Sequence, residues 1–371
     1  MRVLVAPDKF KGTLTALEVA DTICGGLEDG GLTATALPLA DGGDGSVDAA
    51  LAAGFDRVPV RVRGAAGELV DAAYAYNGHT AVVEVANTCG LATLPPGRLH
   101  PMTASSYGFG QAVGAAVSGG ARRVVLALGG SASTDGGTGM LAALGVRLCG
   151  SGDRAIEAGG AELGRIARLD TERMIDLDGV ELVVATDVDN PLLGPRGAAA
   201  EFGPQKGAAP DDVRRLDQGL SSLARVMSAA TMASEPGAGA AGGLGFACLW
   251  LGATRISGAD FFLDLLDFDR HVEAHDIVIT GEGRLDRQSL DGKLISAVVR
   301  RAGGRPVHLL VGDCALRTED AAVLGVAGVD AITGHTVRDT REDADLSRTL
   351  LRELAGVLGG RLAIEPHQPF G

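Results

Sequence analysis

The chain has 371 residues and a formal net charge of −14, with 22 % charged and 46 % hydrophobic residues. This length predicts about two domains of ~150 residues each, and the composition allows a large core. The acidic charge and the 4 % aromatic content argue against a nucleic-acid or anionic-membrane partner, because such partners need basic stripes or stacking surfaces. The 56 glycines make up about twice the usual ~7 % of residues and lie in clusters, which predicts functional loops.

The cysteines and the N-terminus favour a cytoplasmic location. The five cysteines are scattered and lack C-x-x-C spacing, so reduced thiols are favoured over a disulfide or zinc framework. The apolar run before Pro7 is shorter than a signal-peptide core, and no stretch approaches the ~20 apolar residues that span a bilayer. We therefore expect no membrane partner, and the oligomeric state is left open.

The predicted elements begin with a parallel α/β rhythm. A buried strand at 2–6 precedes a helix over about 15–29 that is capped by Thr13 or Thr15, and a strand near 33–38 precedes a helix at 47–53. Short apolar segments then alternate quickly with turn residues, which is typical of antiparallel or mixed strands. These strands are predicted at 58–63, 70–76 and 80–85.

Helices and strands alternate through the rest of the chain. Helices are predicted at 104–118, 139–148, 211–233, 292–302 and 343–358, and strands at 122–130, 180–191, 276–280, 307–311 and 329–334. This order predicts an α/β fold in which a Rossmann-like parallel-sheet domain, residues 1–57 plus 268–371, is interrupted by an inserted α/β domain with a mixed sheet, residues 58–267. We expect the active site in the cleft between the two domains.

Charged residues and glycines follow four strands of the first predicted domain. Ligands of open parallel sheets bind outside the carboxyl ends of the strands. One such loop is common as a turn, whereas four at one edge predict the rim of an active site. The residues after these strands are Asp8, Lys9, Lys11 and Gly12, then Asp41 to Gly45, then Gly281 to Arg284 with Asp286, and finally Gly312 and Asp313.

The inserted domain contains a glycine- and hydroxyl-rich loop, Gly129-Gly-Ser-Ala-Ser-Thr-Asp-Gly-Gly137, between a predicted strand and helix. Glycines let backbone N–H groups approach a ligand closely, hydroxyls add donors, and the N-terminus of a helix favours an anion. The loop is therefore a candidate phosphate cradle. A tight strand-to-helix turn without a ligand is the alternative.

Asp187 and Asp189 lie two residues apart in an extended segment, where residues i and i+2 share a face. Two like charges on one face favour a bound cation, and Mg²⁺ is commonly held by one or two carboxylates together with phosphate oxygens. A solvated strand end capped by an Asx turn is the alternative interpretation.

Lysine is rare, because only four of the 33 Lys and Arg residues are lysines: Lys9, Lys11, Lys206 and Lys293. All four lie in short segments next to glycines, which favours a need for a compact ammonium group at a phosphate over chance placement. Lys206 lies in the tight turn Phe202–Gly207, where a solvated surface lysine is the alternative.

Other signatures are absent or out of context. Residues 237–242 read G-x-G-x-x-G, but a helical segment and not a strand precedes them, which disfavours a dinucleotide site. The sequence has no P-loop, no protein-kinase H-R-D or D-F-G set, no paired histidine ligands and no G-x-S-x-G nucleophile elbow.

Taken in order, these segments resemble the type-1 glycerate kinase family. The resemblance implies two α/β domains with one inserted in the other, and transfer of a phosphoryl group from ATP to D-glycerate with Mg²⁺, typically giving 2-phosphoglycerate. The matching blocks are Ala6–Thr13, Ala40–Gly45, Val83–Leu91, Ser105–Gly108, Gly129–Gly139, Thr186–Pro191, Phe202–Gly207, Pro236–Gly243 and Ile279–Gly283.

The chain departs from the family pattern at three positions, which leaves altered substrate preference open. Asp44 stands where Glu is common, Thr134 where Asn is common, and Arg287 where a smaller residue is usual. Kinases of another short hydroxy acid and a non-catalytic carboxylate-binding sensor remain alternatives.

With the resemblance, roles can be assigned as hypotheses. Lys11 and Lys206 would neutralise the transferring phosphoryl, Asp41 or Asp189 would accept the substrate proton, and Mg²⁺ would bind Asp187 or Asp189. The ATP phosphates would contact Gly129, Gly130, Ser131, Ser133, Asp135, Gly136 and Gly137. The glycerate would contact Asp8, Asp44, Glu282, Arg284 and Lys293, with Arg284 on its carboxylate.

Overall fold

The computed structural model describes residues 1–286, 294–316 and 323–364, and the chain divides into two compact units. Unit 1 consists of Met1–Asp41 and Ala259–Gly371, and unit 2 of Gly42–Gly258. The sequence placed the two boundaries later, at 57/58 and 267/268. The helix that follows Gly45 packs on the sheet of unit 2, whereas the helix that begins at Gly258 forms ion pairs through Asp260 and Asp264 with arginines of unit 1.

The N-terminal part of unit 1 contains β1 (Arg2–Val5), α1 (Ala16–Asp29) and β2 (Thr33–Ala36). Thr15 is the N-cap of α1, which decides between the two threonines considered from the sequence. The Thr15 side chain accepts a hydrogen bond from the N–H of Glu18 at 3.2 Å, and the Glu18 carboxylate accepts one from the N–H of Thr15 at 2.9 Å. This reciprocal pair is a capping box, which fixes the start of the helix.

Unit 2 is built on a six-stranded mixed sheet, in the order β10-β9-β6-β5-β4-β3. The strands β5, β6, β9 and β10 are parallel, and β4 and β3 are added antiparallel, as the alternating pattern predicted. The strands of the unit are β3 (Asp56–Arg63), β4 (Leu69–Tyr76), β5 (Thr80–Glu84), β6 (Arg123–Ala127), β7 (Arg147–Cys149), β8 (Arg168–Asp170), β9 (Glu181–Ala185) and β10 (Thr254–Ile256).

The helices of unit 2 cover this sheet and enclose a large apolar core. They are α2 (Ser46–Ala52), α3 (Val85–Cys89), α4 (Tyr107–Ser118), α5 (Thr138–Ala143), α6 (Ala198–Phe202), α7 (Pro210–Val226) and α8 (Ala240–Trp250). The sequence did not predict α8, because its glycines have low helix propensity and it is apolar on every side. A helix without a polar face is stable only when it is buried all round, and residues Gly242–Cys248 are all buried.

The chain then returns to unit 1 and completes a parallel five-stranded sheet, in the order β15-β13-β11-β1-β2. Its remaining elements are α9 (Gly258–Leu265), α10 (Phe268–Glu273), β11 (Ile277–Thr280), β12 (Arg284–Leu285), α11 (Leu294–Arg301), β13 (Val307–Val311), β14 (Asp313–Cys314), β15 (Gly328–Ala331) and α12 (Ala344–Ile364). The three central strands β1, β11 and β13 are almost continuously apolar, as expected of a parallel sheet buried on both faces, whereas the edge strands β2 and β15 are more exposed.

Counted within unit 1, the strand order is 2-1-3-4-5, a doubly wound arrangement of the Rossmann-like class. The direction of winding reverses between β1 and β11, and ligands of such sheets bind at this switch point. Across the described part of the chain, no helix combines the length and the apolar character needed to cross a membrane.

Candidate active site

The loops that follow β1, β11, β13 and β15 meet at one edge of the unit 1 sheet. The N–H of Asp8 donates to the carbonyl of Gly281 at 2.8 Å, across the switch point. The N–H of Gly312 donates to the carbonyl of Glu282 at 3.0 Å, and the N–H of Thr333 to that of Gly312 at 3.2 Å. A ladder of backbone hydrogen bonds therefore joins these loops beyond the ends of the strands.

Two carboxylates and a lysine form a cluster at this edge. Lys9 Nζ lies 3.2 Å from Asp8 Oδ1 and 3.8 Å from Asp41 Oδ1. The Asp8 side chain is 13 % exposed and the Asp41 side chain 38 % exposed. Burial raises the pKa of Asp8 to about 6, the charge of Lys9 opposes this, and the charge of Asp41 adds to it. Asp41 is thus the more accessible carboxylate of the pair, with an ammonium group beside it.

Lys11 lies at the tip of a tight turn. The N–H of Phe10 donates to the carbonyl of Leu14 at 2.9 Å, and both side chains are buried, so they anchor the base of the turn. Gly12 adopts a φ of +90°, which allows the chain to reverse direction within the turn. The lysine itself is exposed. A Cβ on Gly283 would lie 2.9 Å from the Lys11 backbone nitrogen, so this glycine lets the loop after β11 pack against the turn.

Arg284 is a second exposed cation of the same edge. Its side chain is 63 % exposed, and Nε lies 3.8 Å from Asp313 Oδ2, a loose ion pair that leaves the guanidinium accessible. Asp313 is held in turn by Thr333, whose hydroxyl donates to Oδ1 at 3.1 Å. Lys293, which the sequence predicted as a substrate contact, lies outside the described residues.

In unit 2 the segment Gly42–Gly45 packs across the carboxyl ends of β6 and β9. The N–H of Gly129 donates to the carbonyl of Gly42 at 3.1 Å. A Cβ on Gly42, which has a φ of +86°, would lie 2.3 Å from the carbonyl oxygen of Ala185. The contact requires glycine on steric grounds, and it places exposed Asp44 close to Gly130.

Lys206 is the most distinctive residue of the candidate site, because it is a lysine with only 2 % of its surface exposed. Its Nζ donates to Ser131 Oγ at 2.8 Å and to the carbonyl of Ser133 at 2.5 Å. Burial lowers the pKa of Lys206 to about 7, which the charge of Asp135 opposes. The turn Gly203–Gly207 therefore directs the ammonium into the glycine loop after β6, and the interpretation as a solvated surface lysine is wrong.

The described structure divides the glycine loop into two parts. Gly129 and Gly130 remain accessible, whereas residues 131–140 are buried, and the buried Ser131 contacts Lys206. The hydroxyls of Ser133 and Thr134 are buried without a hydrogen-bond partner among the described residues. Buried hydroxyls ordinarily have a partner, so these two fit a bound phosphate oxygen or an ordered water.

Asp135, Gly136 and Gly137 have structural partners within the protein. The Asp135 carboxylate is fully buried and accepts hydrogen bonds from the N–H and hydroxyl of Ser106, each at 2.8 Å, and from two further backbone N–H groups. The N–H of Gly136 donates to the carbonyl of Gly242 at 3.0 Å, and a Cβ on Gly137 would lie 2.4 Å from Ala247 Cβ. These three residues shape the loop and connect it to α8.

Asp187 and Asp189 follow β9 and are held by different partners. Asp187 Oδ1 accepts a hydrogen bond from the N–H of Gly258 at 3.1 Å. Asp189 Oδ1 is 2.6 Å from Arg255 Nη2, and its side chain is 65 % exposed. Within the described ranges, no group of three or more His, Cys, Asp or Glu side chains could hold a metal ion.

Sequence reasoning missed a buried carboxylate at the same edge of the unit 2 sheet. Glu84 ends β5, is 3 % exposed, and its Oε2 accepts a hydrogen bond from the N–H of Val47 at 2.9 Å. Burial raises the pKa of Glu84 to about 7, the hydrogen bond from Val47 opposes this, and the charge of Asp44 adds to it. A glutamate inside the apolar run TAVVEV was the available signal, because a lone charge there must be buried or mark a strand end.

The chain is similar to known proteins over most of its length. The model of the glycerate kinase family matches residues 3–358. The chain belongs to this family. It is 40 % identical over 342 residues to a glycerate kinase of Bacillus subtilis, covering 90 % of this chain and 89 % of that protein. It is 38 % identical over 345 residues to the glycerate 2-kinase of Escherichia coli, covering 90 % of each chain.

The fold of this glycerate kinase family member also matches a solved structure. A crystal structure of a candidate glycerate kinase 2 from Salmonella typhimurium LT2 superposes with a TM-score of 0.78 at 33 % identity, and the match covers 98 % of each chain. The family resemblance inferred from the ordered sequence blocks is therefore confirmed, as is the α/β fold class.

Proposed function

We propose that this family member is an ATP-dependent glycerate kinase that transfers the γ-phosphoryl group to D-glycerate and gives 2-phosphoglycerate. The observation that carries the proposal is the buried ammonium of Lys206, which reaches Ser131 and Ser133 inside the glycine loop after β6. A buried cation with neutral partners is costly in an empty protein, and it becomes favourable when an anion binds beside it.

Unit 2 would hold the phosphates of ATP. Gly129 and Gly130 allow close approach to the backbone, and Ser131 lies next to the Lys206 ammonium. The hydroxyls of Ser133 and Thr134, which have no hydrogen-bond partner in the described part of the chain, fit phosphate oxygens by their chemistry. Asp135, Gly136 and Gly137, which the sequence predicts as direct phosphate contacts, would instead maintain the shape of the loop, because they already form hydrogen bonds within the protein.

The donor set also fits Mg²⁺ of a nucleotide complex. Mg²⁺ is usually bound by one or two carboxylates together with phosphate oxygens and water, so it needs no cluster of three protein ligands. Asp187 or Asp189 would be the protein ligand, and Asp189 would bind Mg²⁺ in place of Arg255, whose Nη2 lies 2.6 Å from its Oδ1. Bound there, Mg²⁺ would neutralise phosphate charge.

Unit 1 would hold the glycerate. Exposed Arg284 would bind the carboxylate of the substrate through its guanidinium. Asp41 or Asp189 would accept the proton of the attacking hydroxyl. Asp189 is the weaker candidate, because its Oδ1 lies 2.6 Å from Arg255 Nη2, whereas Asp41 Oδ1 lies 3.8 Å from Lys9 Nζ. Exposed Lys11 would neutralise the transferring phosphoryl. Asp8 and Glu282 of unit 1 and Asp44 of unit 2 remain proposed substrate contacts, and the predicted active site between the two domains remains a prediction.

The proposal is tested by a coupled assay of ADP release with D-glycerate and MgATP, in which ³¹P and ¹H NMR identify the product. Turnover that gives 2-phosphoglycerate would support it. Turnover that gives 3-phosphoglycerate would contradict the assignment of the hydroxyl. Folded protein without turnover on D-glycerate, but with turnover on tartronate or lactate, would contradict the substrate.

A further inference from the structure

The glycine-rich segment Gly237–Gly245, at the start of α8, has an unusual backbone. Ala241, Gly242 and Gly243 have φ angles of 53°, 70° and 90°, three left-handed residues in succession inside an element that is otherwise right-handed. Ala241 carries a Cβ and still adopts this conformation, which is costly for any residue except glycine. Such a conformation persists only where the surrounding contacts determine it.

The left-handed turn is fixed by contacts to the glycine loop after β6. The carbonyl of Gly242 accepts a hydrogen bond from the N–H of Gly136 at 3.0 Å. A Cβ on Gly242 would lie 2.2 Å from the carbonyl oxygen of Ser133 and 2.6 Å from Thr134 Cα, so the two backbones are in direct contact. The same Ser133 carbonyl accepts the hydrogen bond from Lys206 Nζ at 2.5 Å.

The segment also touches the loop after β9. The N–H of Gly239 donates to the carbonyl of Asn190 at 2.9 Å, and a Cβ on Gly239 would lie 2.2 Å from the carbonyl oxygen of Pro191. A Cβ on Gly237 would lie 2.9 Å from the side chain of Arg255, which pairs with Asp189. The segment therefore packs between the two loops of unit 2 that carry the proposed phosphate and metal contacts.

We propose that Gly237–Gly245 is a positioning element of the active site, in which the left-handed turn at Gly242 fixes the Ser133 carbonyl and thereby the place of the Lys206 ammonium. The proposal rests on the proposed function, because Lys206 must act on the phosphoryl group for its position to matter. The G-x-G-x-x-G pattern of this segment is then explained without a dinucleotide. Gly239 and Gly242 are needed for close backbone contact, because a Cβ would lie 2.2 Å from the carbonyl oxygen of Pro191 or of Ser133, respectively.

The test compares two glycines of the same region that share a left-handed conformation. Gly242→Ala would force a Cβ onto the Ser133 carbonyl, whereas Gly252, at the end of α8, has a φ of +87° and a Cβ added there would meet nothing within 4 Å. Both substitutions place an alanine in a left-handed conformation, so both should lower Tm. Only Gly242→Ala should lower kcat, by about tenfold to a hundredfold, because displacements near 1 Å cost that much in a positioned site. Gly252→Ala should stay within about twofold of the parent protein.

A double-mutant cycle with Lys206→Met separates positioning from general destabilisation. If Gly242 acts through Lys206, Gly242→Ala should have little further effect on kcat once Lys206 has been replaced. Additive losses of kcat would overturn the inference, and so would equal kcat values for Gly242→Ala and Gly252→Ala. Lys206→Met with unchanged kcat would contradict the proposed function itself. If Gly242→Ala does not fold, Gly243→Ala replaces it, since its Cβ would lie 2.9 Å from Gly136 Cα.

Discussion

Replacing Lys206 with methionine should make the protein more stable and nearly inactive at the same time. Methionine retains the length of the side chain and removes the ammonium group. The substitution also removes the hydrogen bonds to Ser131 Oγ and to the Ser133 carbonyl. Loss of one donor to a developing charge typically lowers kcat by ~10²- to 10³-fold, and we expect a loss of this size.

The gain in stability follows from the pKa of Lys206, which burial lowers from 10.5 to about 7. One pKa unit corresponds to ~1.4 kcal/mol, so keeping the charged form in the fold costs about 5 kcal/mol relative to the unfolded chain. Between pH 7 and pH 10.5 the unfolded chain binds the proton and the folded protein releases it. The parent protein therefore gains stability as pH rises through this window, by ~1.4 kcal/mol per pH unit, and below about pH 7 this slope disappears.

The assay is urea denaturation of the parent protein and Lys206→Met at about pH 6.5, 8.0 and 9.5. Lys206→Met should have the higher free energy of unfolding, and its difference from the parent protein should be largest at the lowest pH and smaller by about 3 kcal/mol at the highest. Lys11→Met is the matched control, because it also replaces a lysine of the candidate site by methionine but removes an exposed ammonium instead of a buried one. If the free energy of unfolding changed with pH in the same way for the parent protein and for Lys206→Met, the reasoning would be refuted.

Three further substitutions test other parts of the site. Lys11→Ala should lower kcat by ~10²-fold or more with an unchanged urea midpoint, and a kcat near that of the parent protein would exclude a role in charge neutralisation. Burial raises the pKa of Glu84 from 4.5 to about 7, so its contribution to stability is fully present below pH 4.5 and falls by about 3 kcal/mol as the pH rises to 7. Glu84→Gln should abolish this decline in the free energy of unfolding, as measured by urea denaturation at each pH. A variant with the same decline as the parent protein would contradict the reasoning. Gly42→Ala should destabilise by about 1–3 kcal/mol more than Gly54→Ala, because both glycines are left-handed but only the first would meet the Ala185 carbonyl; equal urea midpoints would contradict this.

Much of the fold could be predicted from the sequence because the signals are local. Continuous apolar runs predicted the parallel strands, and the hydroxyl residues Thr13 and Thr15 predicted the start of the first helix, at which the structure places Thr15 as the N-cap. The antiparallel addition to the second sheet followed from short alternating segments between turns. The helix Ala240–Trp250 was missed because its stability comes from burial on all sides, and burial is a property of neighbours that lie far away in the chain.

The chemical groups of the site can be read from the sequence: rare lysines in glycine-flanked segments, aspartates after strands and a hydroxyl-rich loop. Which of these groups have partners within the protein depends on the tertiary fold. In the fold, the ammonium of Lys206 is buried against Ser133, and the carboxylate of Asp135 accepts several hydrogen bonds. The fold also buries Glu84, a carboxylate that the sequence analysis did not include in the site. Burial and desolvation set the pKa of each group and its freedom to meet a ligand, and they arise from contacts between segments that are distant in the sequence.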